Sequence, residues 1–157
     1  MYIYRVTSAD QELLEALQRL IPQLSGCPPP TADELDQLVS SEASILLAAR
    51  YPEKDGPIVG AMVLVVYRVL TGLHGYVEDV IVDEAARGQG IGEGLMREAI
   101  RIAEEMGAAN IGLTSHARRA AANQLYLKLG FEQRQTNVYK YLFSNHLAVW
   151  YKKDDSH

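Results

Sequence analysis

Across a run of three glycines, Arg87-Gly88-Gln89-Gly90-Ile91-Gly92, the apolar pattern of this chain changes its period. Upstream, residues 75–82 are rich in Val and Ile and read as a strand. Downstream, Leu95, Met96, Ala99, Ile100, Ala103 and Met106 recur at helical spacing, and Gly107 stops the helix. A strand that turns into a helix through glycines leaves the free N–H groups of the helix start pointing outward. Glycines at 88, 90 and 92 let a phosphate approach the backbone, and the helix end adds about half a positive charge. Arg87 supplies a full one.

Two other glycine-rich phosphate loops fail on spacing. The dinucleotide pattern G-x-G-x-x-G needs glycine at 93 or 95, where Glu93 and Leu95 stand, and the Gly-Lys-Ser/Thr ending of a P-loop is absent. Taken alone, the glycines are also what a tight strand-to-helix turn requires.

The rest of the chain places this turn. Residues 2–6 form a short strand, and Asp10 caps a helix carrying Leu13, Leu14, Leu17, Leu20 and Ile21 that ends near Pro22. Residues 25–30, SGCPPP, break the chain; Thr31 and Glu34 form a capping box for a second helix reaching about Val39. Residues 44–50 and 58–67 flank the Asp55-Gly56 pair as an antiparallel hairpin. After the glycine loop and its helix come a short strand at 111–114 and a helix at 120–129 closed by Gly130. Further strands are expected near 132–135 and 138–143, and then a docked apolar segment with a frayed polar tail at 144–157. This order predicts one α/β domain over residues 1–157, a mixed, mostly antiparallel central sheet with helices on both faces.

Composition narrows the partners. Fifteen basic against twenty acidic residues give a formal charge of −5, which repels a nucleic-acid backbone. Arg118 and Arg119 stand together at a helix start, where a solvent-facing role is expected. Cys27 is the single cysteine, so an internal disulfide is excluded and a reducing cytoplasm suits the chain. No basic-apolar leader opens the sequence and no apolar run approaches a membrane span of about 18 residues, so neither membrane nor export is expected. A homodimer is left open.

The stretch VEDVIVDEAARGQGIGEGLM resembles the acetyl-CoA motif of the GNAT superfamily of N-acyltransferases, with Arg87, Gly90 and Gly92 in the Arg/Gln-x-x-Gly-x-Gly/Ala places. RRAAANQLYLKLGF resembles a second motif of that family, with Tyr126, Gly130 and Phe131 in its places. The resemblance covers about residues 75–143. It implies that the N–H groups of Gly88, Gln89, Gly90, Ile91, Gly92 and Glu93, with Arg87, hold the pyrophosphate of acetyl-CoA. Main-chain groups of Val80, Ile81 and Val82 would pair with the pantetheine arm, and Asn123 and Tyr126 would flank its end. Many members carry an asparagine seven residues before the tyrosine; Arg119 stands there here.

A thioester is already electrophilic, so direct transfer to a bound amine is the simplest chemistry. The amine must be neutral, the oxyanion needs a donor and the departing thiolate benefits from a proton. The resemblance makes Tyr126 the general acid, although its apolar stripe alone would read as a packed helix. Strand alternation puts Glu78, Val80 and Val82 on one face and Asp79 and Ile81 on the other, which makes Glu78 the expected base or amine-holding carboxylate. His116, just past the short strand, is the rival base. The histidines at 74, 116, 146 and 157 have no metal-ligand spacing, and this chemistry requires no metal. Two functions follow: acetyl transfer to an amine acceptor, or a module that binds acetyl-CoA or CoA without turnover.

Overall fold

A computed structural model describes residues 1–143. The terminal segment expected to dock and fray lies outside the described residues. Five strands form one sheet in the order β1-β2-β3-β4-β5: Tyr2–Arg5, Ser44–Arg50, Ile58–Val69, Gly72–Val82 and Ile111–Leu113. The first four pair antiparallel in succession, and β5 joins β4 in parallel. Helices α1 (Gln11–Leu24) and α2 (Ala32–Ser40) lie between β1 and β2 in the chain, α3 (Ile91–Glu105) between β4 and β5, and α4 (Ala120–Lys128) after β5.

Alternation in the strands divides two cores. Leu46, Ala48, Ala61 and Ile81 meet Leu13, Leu17 and Leu20 of α1 and Leu35 of α2 on one face. Leu47, Ala49, Met62 and Leu64 meet Leu95, Met96, Ala99 and Ala103 of α3 on the other, where Tyr126 of α4 and Leu129 just after it also pack. Each fully buried large side chain contributes about 1.5–3 kcal/mol, so the helices are held to the sheet by area rather than by ion pairs.

Local chemistry sets the element ends. Asp10 Oδ1 accepts from Leu13 N–H at 2.8 Å, and Thr31 and Glu34 satisfy each other's backbone N–H groups as a capping box. As expected, α1 ends near Pro22: it closes at Leu24 and carries that proline inside its last turn. A proline in the last turn forfeits one N–H bond only, and Ser25 N–H still closes the helix on Ile21 O at 3.0 Å. In the β2–β3 turn Gly56 is required by space, since a Cβ there would sit 2.6 Å from Tyr51 O.

The strands expected near 132–135 and 138–143 do not form. Their apolar residues supply propensity without a ladder: Val138, Tyr139, Tyr141 and Phe143 are exposed. The adjoining edge strand β5 has three residues, a short template for a further strand.

Candidate functional site

The glycine loop is built as its sequence suggests. Gly88 and Gly90 have φ of 78° and 77°, a left-handed conformation that costs L side chains about 1–2 kcal/mol, and a Cβ on either would point into open space. Gly90 is the cap of α3 without a side-chain bond, and the first helical bond runs from Gly94 N–H to Gly90 O at 2.9 Å. The N–H groups of Ile91, Gly92 and Glu93 therefore have no helical carbonyl to meet. This geometry fits a pyrophosphate: bare backbone, helix N-terminus and Arg87 on one rim.

Neighbours hold that rim in place. Arg87 Nε donates to Val82 O at 3.2 Å, and Tyr51 OH donates to Gln89 Oε1 at 3.0 Å. Glu93, whose charge opposes a phosphate, is bonded by Lys128 at 2.7 Å and Arg97 at 2.8 Å. Lys128 first, then Arg97, holds this carboxyl below its ordinary range and neutralises it locally.

The chemistry beside it depends on a break in β4. Ala61 opposes Ile81 while Val63 opposes Glu78, so Asp79 and Val80 together face the single residue Met62. Asp79 is the extra residue of this bulge, with φ of 54°, a region that aspartate tolerates better than most residues. The bulge overturns the expected alternation. Val77, Val80 and Val82 pack on the α3 face, whereas Ile81 belongs to the α1 face, as does Val63, the partner opposite Glu78. Glu78 thus shares its face with Ile81 and not with Val80 and Val82.

Beyond the bulge the strands part. β5 pairs with Gly75, Tyr76 and Val77 of β4, and residues 78–82 have no strand partner on that side among the described residues. A cavity of about 160 Å³ opens there, lined by Glu78, Asp79 and Val80 from β4, Thr114 after β5, Arg119 and Tyr126. Leu24 and Ser25, at the end of α1, close it from the other side. A larger hollow of about 470 Å³ lies against β1, lined by Tyr2, Tyr4, Asp10 and Arg50 among others, and touches none of the motif residues.

Burial, then the Asp79 carboxylate, raises the Glu78 pKa above the ordinary carboxylate range, and Lys140 opposes the shift. Tyr126 is half-buried, and its phenol is likewise pushed up by burial, with Arg119 working the other way. A carboxylate made more basic and a phenol kept protonated are suited to opposite ends of a proton-transfer reaction.

His116 is exposed and absent from the cavity lining; its Nδ1 accepts from Arg118 N–H at 3.2 Å. Asn123 is outside the lining as well, its amide donating to His116 O at 3.1 Å and so fixing the turn before α4. Arg119, expected to face solvent, lines the cavity and donates to Leu24 O at 3.4 Å. Sequence reasoning missed this wall: Leu24, Ser25 and Thr114 carry no motif, and the aspartate within a β-rich stretch was the one local hint of a bulge. Among the described residues no three His, Cys, Asp or Glu side chains gather as a metal site.

Comparison with known proteins identifies the family and the fold. The family model described as "Acetyltransferase (GNAT) family" matches residues 11–131. A curated rice (Oryza sativa subsp. japonica) protein named "Probable glucosamine 6-phosphate N-acetyltransferase 2" is 33% identical over 141 residues, 84% of this chain and 82% of its own length. Among solved structures, a Trypanosoma brucei acetyltransferase superposes with a TM-score of 0.73 at 24% identity, covering 90% of this chain and 99% of the other. Glucosamine-6-phosphate N-acetyltransferase from Arabidopsis thaliana superposes with a TM-score of 0.74 at 18% identity, covering 91% and 100%. Family match, relatives and fold converge: the chain belongs to the GNAT family and is an acetyl-CoA-dependent N-acetyltransferase.

Proposed function

We propose that this enzyme transfers acetyl directly from acetyl-CoA to a primary amine, with Glu78 and Tyr126 handling the protons. Residues 87–93 hold the pyrophosphate, and the unpaired edge of β4 at Val80, Ile81 and Val82 takes the pantetheine arm. Acetyl-CoA supplies the activated acyl carbon. Glu78 accepts a proton as the amine nitrogen forms its bond to that carbon; Tyr126 delivers a proton to sulfur as the carbon–sulfur bond breaks. Charge and atoms balance, since one proton leaves nitrogen and one arrives at sulfur.

The observation that carries this reading is the bulge at Asp79. By shifting β4 one residue out of phase it puts Glu78 on the α1 face while Val80 and Val82 stay on the α3 face with Tyr126, and both proton-handling groups line the gap. His116 has no comparable position, so the base is assigned to Glu78. Cytoplasmic residence suits the chemistry: Cys27 is a free thiol, and no described helix is long and apolar enough to cross a membrane.

Release of CoA thiol in the presence of a panel of primary amines tests the reading. Acetyl-CoA-dependent product with at least one amine is expected, together with its loss in Glu78→Gln. Full activity in both Glu78→Gln and Tyr126→Phe would remove the proposed chemistry.

A further inference from the structure

We infer that Arg119 recognises an anionic group on the acceptor, so that the substrates of this enzyme are amines that also carry a phosphate or a carboxylate. This rests on the transfer to an amine at Glu78 proposed above.

Arg119 is the cap residue just before α4, on the donor side of the sheet, but its guanidinium does not turn back toward the α3 N-terminus where the pyrophosphate belongs. Instead it reaches the carbonyl of Leu24, at the end of α1 and 95 residues away in sequence. Leu24 and Ser25 close the cavity from the face that Glu78 shares, so the positive charge stands on the acceptor side of the gap. That single bond at 3.4 Å leaves most of the guanidinium fork without a partner. No carboxylate among the described residues forms an ion pair with it.

The other charged residues lining the cavity are Glu78 and Asp79. One wall thus carries two carboxylates and the other a guanidinium. A plain cationic amine satisfies the first wall and strips water from the second without return, because an arginine charge that loses solvent needs an anion in its place. An ampholyte satisfies both. Phosphate and carboxylate each present two oxygens that can accept together from the planar guanidinium fork, and the cavity chemistry admits either.

Calorimetric titration of acceptors into the CoA-saturated protein tests the inference without requiring turnover. Three pairs differ only in the anion: glucosamine and glucosamine 6-phosphate, ethanolamine and O-phosphoethanolamine, propylamine and β-alanine. At least one anionic partner is expected to bind about 10- to 100-fold tighter than its neutral twin, and the pair that responds tells phosphate from carboxylate. Arg119→Gln keeps an N–H for Leu24 O and should erase the difference; Arg119→Lys should keep part of it.

Equal affinity within every pair overturns the inference, as does a preference that survives in a folded Arg119→Gln protein. Loss of CoA affinity in that variant with the preference intact places Arg119 with the donor and overturns it too. Failure of the transfer reading looks different: no amine releases thiol from acetyl-CoA, whatever the binding titrations give.

Discussion

Glu78 and Tyr126 line one cavity from opposite faces of the same sheet. A sheet without a gap here would keep them apart, because it is opaque to side chains of its two faces. The gap opens where β5 stops pairing at Val77, and on the proposed reading it is there that an amine on one face meets a thioester on the other.

Tyr126→Phe keeps the ring that packs against Phe131 and deletes the proton donor. Turnover should fall about 10²- to 10⁴-fold while the Michaelis constant for acetyl-CoA changes little. Steady-state kinetics on a working amine decide it, and undiminished turnover would show that solvent protonates the thiolate.

The pH dependence separates Glu78 from its neighbour. Because burial and Asp79 raise the Glu78 pKa, kcat/KM should rise with pH through a value above the ordinary carboxylate range. Asp79→Asn removes the like charge, keeps a residue that tolerates the left-handed backbone, and should move this acid limb to lower pH. The raised folded pKa has a second consequence, with sign fixed by linkage. Its contribution to stability is present below the unfolded value of about 4.3 and is lost as pH rises through the folded value. Glu78→Gln should therefore lose less stability than the wild type over that window, measured by denaturant titration at several pH values. An acid limb unmoved in Asp79→Asn would detach the profile from Glu78.

Legibility in the sequence followed the range of the interactions. The capping box at Thr31 and Glu34, the Asp10 cap and the loop at 87–92 depend on neighbours within one or two turns, and spacing alone revealed them. The position of Glu78 was misread because alternation presumes an unbroken ladder, and only the register with β3 exposes the extra residue at Asp79. Arg119 was misread for a related reason: what it touches at Leu24 lies 95 residues away. Residues 138–143 show the converse, a strand-like composition that pairs with no strand among the described residues.

Gly90→Val should weaken CoA binding more than tenfold by calorimetry, an energy of about 1.4 kcal/mol. A β-branched residue is strained at φ of 77° and places its side chain in the open space above the loop. Wild-type affinity in a folded variant would place the pyrophosphate elsewhere.

Gly56→Ala reaches the same loop from a distance. Its Cβ would press on the carbonyl of Tyr51, whose hydroxyl bonds Gln89. Overpacking of this kind costs about 1–3 kcal/mol, so a melting temperature several degrees lower is expected, with a moderate rise in the Michaelis constant for acetyl-CoA. The prediction fails if thermal melts of the two proteins coincide.

The extra residue at Asp79 also makes the enzyme modular. On the proposed reading, the donor side is built mainly by α3 and α4 and the acceptor side by the end of α1, with Arg119 the residue that reaches from one to the other. Substitutions in α1, α2 and the loop after Leu24 can reshape the choice of amine while the glycine loop, the unpaired strand edge and Tyr126 stay as they are. Descendants of such a chain can change what they acetylate without relearning how.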